Sequence, residues 1–228
     1  MFKHNRMQLF RQMLALLCLV SAVPQGQAQT AATLATRGGG KVIACQTCHG
    51  AQGEGQAAAG FPRLAGQPAG YLYKQLREFS QGRRSNAQMQ PVASALSDAQ
   101  MRSLADYYAA LPGWRATPAP PGTPVTSAAS SQALALGERL ATRGNWPNGV
   151  PACAACHGPG ATGVAPHFPA LAGQPAAYTR AQLRAFRSGT RSNDPQGLMK
   201  SVAEHLNDAD IEAISTYYAN PTDPDRRP

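Results

Sequence analysis

Two short runs, Cys45-Gln-Thr-Cys48-His49 and Cys153-Ala-Ala-Cys156-His157, constrain this chain more than anything else in its 228 residues. They share the pattern C-x-x-C-H and stand 108 positions apart. Two thiols at that spacing lie about one helical turn from each other, so both can reach the vinyl edge of a single porphyrin and become thioethers. The His that follows is then held beneath the ring, where its imidazole reaches the iron. The pattern reads as covalent attachment of two haem c groups, through Cys45 and Cys48 and through Cys153 and Cys156, with His49 and His157 as proximal iron ligands. Other chemistries fit less well. A redox dithiol needs no His after its second Cys, and both runs have one. A structural zinc site takes four ligands, whereas each run supplies three. Structural disulfides outside the cytoplasm leave both histidines unexplained.

Aligned on itself, the chain is a tandem duplication. Leu34-Ala-Thr-Arg-Gly38 recurs as Leu140-Ala-Thr-Arg-Gly144, and Phe61-Pro-Arg-Leu-Ala-Gly-Gln-Pro68 as Phe168-Pro-Ala-Leu-Ala-Gly-Gln-Pro175. Tyr71, Gln75, Phe79 and Arg84-Ser85-Asn86 match Tyr178, Gln182, Phe186 and Arg191-Ser192-Asn193, and Tyr107-Tyr108 match Tyr217-Tyr218. Between the copies, residues 115–131 are rich in Pro, Thr, Ala and Ser, the composition of a semi-extended linker. This divides the chain into a leader (1–28), a first domain (29–114), a Pro-rich linker (115–131) and a second domain (132–228).

Each copy reads as helical, with no strand pattern, so the fold class is all-α. In copy two a first helix is expected from about Ser131 to Arg143; in copy one it is short. A second helix follows Pro68 or Pro175 and stops near Gly82 or Gly189. A last helix starts at a cap, Ser97 with Gln100 or Asn207 with Asp210, and runs to the Tyr-Tyr pair. A domain of about 85–95 residues has a modest core of its own. The macrocycle is therefore expected to supply part of it.

The N-terminus has the pattern of a secretory leader: Lys3, Arg6 and Arg11, an apolar stretch from Met13 to Val23, and an exit at Gly26-Gln27-Ala28. Eleven such residues span only ~16 Å as a helix, too short for a ~30 Å hydrocarbon core. Cys18, the fifth cysteine, falls in this leader. Cleavage after Ala28 and a periplasmic location are expected. The trimmed chain holds eighteen Lys/Arg against twelve Asp/Glu, a formal +6. Residues 29–115 carry nine against four, and residues 116–228 nine against eight. A basic N-terminal half suits docking on acidic partners or peripheral association with anionic membrane surfaces, with Lys74, Arg77, Arg83 and Arg84 as steering residues. No basic run interleaves with aromatics, which argues against nucleic acid.

The distal iron position has a candidate in each copy. Met89 and Met199 each fall three residues before a matched Val, Val92 or Val202, once an insertion at Asp194-Pro195-Gln196 is allowed in copy two. A thioether is a soft, neutral donor that favours ferrous iron. Core packing is the competing reading for any Met. Met101 shows what packing alone looks like, because its counterpart is Ile211. His167 faces Gly60 and His205 faces Ala95, so neither is duplicated and each reads as a surface or supporting residue.

The paired C-x-x-C-H runs, the F-P-x-L-A-G-Q-P segment, the spaced Met and the terminal Tyr-Tyr together resemble the dihaem cytochrome c4 family over nearly the whole trimmed chain. The resemblance implies two tandem class I cytochrome c-like domains with His/Met ligation. It implies electron delivery from a quinol-oxidising complex to a terminal oxidase, which makes the chain a carrier rather than an enzyme. It further implies that Pro62 and Pro169 accept a hydrogen bond from the proximal His through their carbonyls. Two other classes stay open from sequence. One is the dihaem subunit of a dehydrogenase such as flavocytochrome c sulfide dehydrogenase; the other is a haem enzyme such as a peroxidase, which needs an open iron site.

Overall fold

The computed structural model describes residues 30–114 and 128–220, the side chains from residue 131 onward in the second stretch. The leader with Cys18 and residues 115–127 of the expected linker lie outside the described residues. The first domain contains α1 (Ala31–Arg37), α2 (Gln46–His49), α3 (Ala69–Ser80), α4 (Met89–Ser94) and α5 (Asp98–Ala110). The second repeats the order with α6 (Ala128–Thr142), α7 (Ala154–His157), α8 (Ala176–Arg187), α9 (Leu198–Glu204) and α10 (Asp208–Ala219). Among the described residues, β-structure is limited to isolated bridges, Gly39 with Val42 and Gln56 with Phe61, repeated as Asn145 with Val150 and Val164 with Phe168. The all-α, duplicated reading stands.

Both last helices begin where the sequence places them. Ser97 and Asn207 each form a full capping box, with Gln100 and Asp210 reaching back to the cap amide. Pro68 and Pro175 sit immediately before α3 and α8, as N-caps rather than inside the first turn. Helix α6 starts at Ala128, so the last four residues read as linker are helical. The short helices α4 and α9 carry no pattern that the sequence reading picked up.

Within each domain the first helix packs on the last, and the third packs on both the fourth and the last. The buried side chains correspond: Leu34, Met101, Leu104 and Tyr108 in one core, Leu140, Ile211, Ile214 and Tyr218 in the other. Met101 and Ile211 fill the same slot, as packing residues should. Helix α6 crosses α10 at Gly137, where a Cβ would run into Ala213 O and stand 2.6 Å from Tyr217 Cβ. Only the missing side chain allows that approach.

The domains meet through a near-symmetric interface. Gln67 donates from Nε2 to Ala170 O (2.8 Å) and accepts from Ala170 N (2.9 Å). Its counterpart Gln174 donates to Arg63 O (2.9 Å) and accepts from Arg63 N (3.1 Å). Arg84 binds Gln75 at home and both Tyr178 and Gln182 across the boundary. Arg191 mirrors it, binding Gln182 at home and reaching Tyr71 and Gln75 across. Each guanidinium also covers a phenylalanine ring of its own domain, Phe79 at 4.5 Å and Phe186 at 4.3 Å. Trp114 packs over Gly173, whose φ of +71° and lack of a side chain give the indole its seat.

This arrangement corrects the steering expectation for part of the basic cluster. Arg84 is buried between the domains. Lys74 and Arg83 both pair with Glu78, at 3.6 and 3.0 Å. Arg37 and Lys41 are exposed at the edge of the first C-x-x-C-H run.

Candidate functional site

The site grows from the helical turns α2 and α7. Each begins right after the first Cys of its run, so the two thiols and the His are presented from one turn. A glycine follows at once, Gly50 (φ +83°) or Gly158 (φ +81°), and ends the turn behind the imidazole.

His49 and His157 are buried, and each ring is pinned from two sides. Nδ1 of His49 donates to Pro62 O at 2.9 Å, and Nδ1 of His157 to Pro169 O at 2.8 Å. A carbonyl only accepts, so Nδ1 carries the proton, and in the neutral ring Nε2 keeps its lone pair. Phe61 and Phe168 stand edge-on to the same rings, with centroids 6.2 and 6.1 Å away. Burial pushes both histidines below their ordinary pKa, more than the proline carbonyls raise it. The neutral form, the one that binds metal, is thereby favoured.

The terminal tyrosines acquire a role that the sequence did not give them. Tyr108 and Tyr218 are buried, and their phenols lie against Cys45 and Cys153. Burial raises the pKa of both phenols and of both thiols. Tyr107 and Tyr217 pack edge-on against them, at 5.1 and 5.3 Å. Tyr108 O and Tyr218 O accept from the amides of Gly66 and Gly173, which ties the last helix of each domain to the Gly-Gln-Pro segment.

One cavity of about 980 Å³ runs through both domains. It is lined by both C-x-x-C-H runs and both histidines, and Met89 and Met199 also line it, half-buried at the starts of α4 and α9. Its volume reaches the top of the ~300–1,000 Å³ range that serves one drug-sized ligand. His167 is exposed on the lining; His205 is exposed and donates from Nδ1 to Ser201 O at 2.8 Å.

The residues present fit a haem in each domain. The walls are largely apolar, as a macrocycle requires, and a thiol pair and an imidazole with a bare Nε2 open on them. The cavity also meets cations suited to propionates: Arg84, Arg191 and Arg63, whose buried Nε has no hydrogen-bond partner. Zinc fits worse, because no three His, Cys, Asp or Glu side chains converge among the described residues. Nor is any described helix long and apolar enough to cross a membrane. What the sequence reading missed is the polar set joining the domains: Gln67, Tyr71, Gln75, Arg84 and their counterparts. Their signal was present as polar identity in both copies.

The family model for cytochrome c matches residues 30–111 and again 134–220. A thiosulfate dehydrogenase electron acceptor from Thiomonas intermedia is 49% identical over 78% of this chain and 79% of its own length. Another from Stutzerimonas stutzeri is 48% identical over 86% of this chain and 88% of its own. Cytochrome c4 from Thiocapsa roseopersicina is 43% identical over 76% and 84%. Among solved structures, a thiosulfate dehydrogenase from Marichromatium purpuratum superposes with a TM-score of 0.73 at 38% identity, covering 83% of this chain and 39% of that longer chain. Reduced cytochrome c4 from Pseudomonas stutzeri gives 0.66 at 35% identity, covering 77% and 92%.

Proposed function

The chain belongs to the cytochrome c family as a dihaem, cytochrome c4-like electron carrier with covalently bound haem c, and we propose that it accepts electrons from a thiosulfate dehydrogenase. Its leader would deliver it to the periplasm, where such a carrier passes its electrons on toward a terminal oxidase. The observation that carries the choice of donor is the 48–49% identity to two proteins named for accepting electrons from that enzyme. A second reading, with a quinol-oxidising complex as donor, draws on the likeness to cytochrome c4.

In each domain the cysteines would hold the macrocycle, Cys45 with Cys48 and Cys153 with Cys156. His49 and His157 would offer Nε2 to the iron, while Pro62 and Pro169 fix the ring orientation and raise its basicity through the Nδ1–H bond. Met89 and Met199 would supply a neutral thioether donor, which favours the ferrous state. The haem itself supplies one-electron ferric/ferrous chemistry. The chain's remaining task is to keep both sites dry and close together. One shared cavity behind a hydrogen-bonded interface supports that reading.

The test is kinetic. Purified holoprotein is mixed with a thiosulfate dehydrogenase and thiosulfate, and separately with a quinol-oxidising complex and quinol, while haem reduction is followed spectrally. Faster reduction of both haems by the thiosulfate system is expected. Reduction only through the quinol system would transfer the assignment to the second reading.

A further inference from the structure

The two copies differ in the short loop that leads into the C-x-x-C-H run. In copy one Gly39 and Val42 pair through their backbones (2.9 Å both ways) and enclose Gly40 and Lys41. In copy two Asn145 and Val150 make the same pairing (2.7 and 3.1 Å) but enclose Trp146-Pro147-Asn148-Gly149. These residues close into a turn of their own, Gly149 N donating to Trp146 O (2.9 Å) and Asn148 N to Asn145 O (3.0 Å). Gly149, at φ +72°, seats the ring of His205, which a Cβ would meet at 3.2 Å. His205 is the C-cap of α9, so the loop is braced against the end of the Met-bearing helix. Yet Trp146 itself is 67% exposed and belongs to neither hydrophobic core.

The shared fold does not ask for an indole at this place, because copy one closes the same loop with an exposed Lys41. Val150, Pro151 and Ala152, which follow the turn, line the shared cavity, so Trp146 stands beside its wall. Two other exposed apolar side chains adjoin segments that carry the second domain's site residues. Leu198 precedes Met199, and Val164 pairs with Phe168. Their counterparts in copy one are the polar Gln88 and Gln56. The first domain exposes Ile43, two residues from Lys41. Charge follows the same division. Exposed Arg37 and Lys41 border the first run; at the second, Arg143 matches Arg37, no cation matches Lys41, and Lys200 on α9 is paired with Glu204 at 3.7 Å.

We propose that Trp146 is the central contact of a docking face on the second domain, which receives a redox protein with an uncharged, apolar surface, while the first domain serves the partner drawn by charge. This rests on the reading of the chain as an electron carrier, not on which enzyme reduces it. A Trp offers a large, rigid apolar area at little entropic cost, and such residues dominate the energy at the centre of protein interfaces. Its seat on a closed turn, braced by His205, fixes the indole before any partner arrives. The paired charges of α9 give an acidic partner little to prefer over a neutral one. Two faces of different chemistry let donor and acceptor dock on different domains without competing for one surface.

The experiment uses the full dihaem protein, reduced by thiosulfate dehydrogenase with thiosulfate and reoxidised by a terminal oxidase, each followed by haem absorbance at ~0.1 M and ~1 M NaCl. Trp146→Ala should lower kcat/KM of one of the two reactions about thirtyfold, the loss of an interface hot spot, and by the same factor at both salts. Trp146→Phe should keep most of the rate, whereas Trp146→Lys, which installs the copy-one residue, should be as slow as Ala. Lys41→Glu should leave that reaction alone and slow the other at low salt only. Haem spectra and unfolding midpoints of the Trp146 variants should match the parent. Unchanged rates in Trp146→Ala, a loss that vanishes at high salt, one reaction sensitive to both sites, or an earlier unfolding midpoint would each overturn the proposal. If thiosulfate dehydrogenase does not reduce the parent protein, the choice of donor falls alone, and the quinol-oxidising complex replaces it in the same comparison.

Discussion

Replacing Gln67 with Ala tests whether the domains are held by the crossed amides. Gln67 is 2% exposed, and both ends of its amide are used on the peptide of Ala170, at 2.8 and 2.9 Å. Truncation removes two hydrogen bonds and leaves a peptide N–H and C=O without partners at the interface. A replaced bond costs about 1 kcal/mol net, and a buried group left unsatisfied about 1–3 kcal/mol, so the interface should lose about 2–5 kcal/mol. Gln174→Ala should lose a similar amount at Arg63. Gln67→Glu is the sharper variant: its carboxylate still accepts from Ala170 N but faces Ala170 O as acceptor against acceptor, so it should do no better than Ala. The assay is denaturant unfolding of the holoprotein, followed by circular dichroism and haem absorbance together. The variants should show an earlier transition and separation into two steps, as each domain opens without its neighbour. In the double variant the second loss should be smaller than the first, because both act on one interface. A single coincident transition with an unchanged midpoint in all three single variants would refute the reasoning.

Met89→Ala and Met199→Ala should each remove about half of the near-infrared band of the oxidised protein and lower one potential; an unchanged band in both would return these residues to packing, as the contact of Met199 with the second core suggests. Arg37→Glu and Lys41→Glu should slow reduction by an acidic partner at low salt and lose their effect as the Debye length falls from ~10 Å at 0.1 M to ~3 Å at 1 M. A salt-independent rate would remove steering from the account. Arg84→Glu should instead loosen the domain interface, visible as altered unfolding. Gly137→Ala should cost about 1–3 kcal/mol by forcing α6 off α10, read as a lower midpoint in thermal unfolding; an unshifted midpoint would mean that the crossing has slack.

The duplicated helical plan was legible because each of its signals is local. Ser97 with Gln100 and Asn207 with Asp210 are caps that work within four residues, and Pro68 and Pro175 mark the start of their helices from one position away. Helices α4 and α9 escaped because six or seven residues, one of them Pro91, are too few to display a helical period. The domain interface escaped for a different reason. Self-alignment shows that Gln75 and Gln182, or Arg84 and Arg191, are kept alike, but it cannot say whether such pairs act within a copy or between copies. Arg84 looked like a surface cation for that reason, and burial reassigned it. The Tyr-Tyr pair was visible as a repeat, yet which ring turns toward Cys45 depends on how α5 packs on α1, a tertiary fact.

The crossed amides recognise only backbone. Gln67 and Gln174 grip the peptide groups of Ala170 and Arg63, so the contact is indifferent to which side chain those positions carry. An interface of this kind is self-complementary: either half holds both the hand and the handle, and a two-fold pair of one half alone would satisfy it equally well. As separate molecules such halves would have to find each other at their own dilution. Joined in one chain they meet at an effective concentration near the millimolar scale, where even a modest handshake stays closed. Carrying both halves in one chain thus makes the closing of this interface independent of protein concentration.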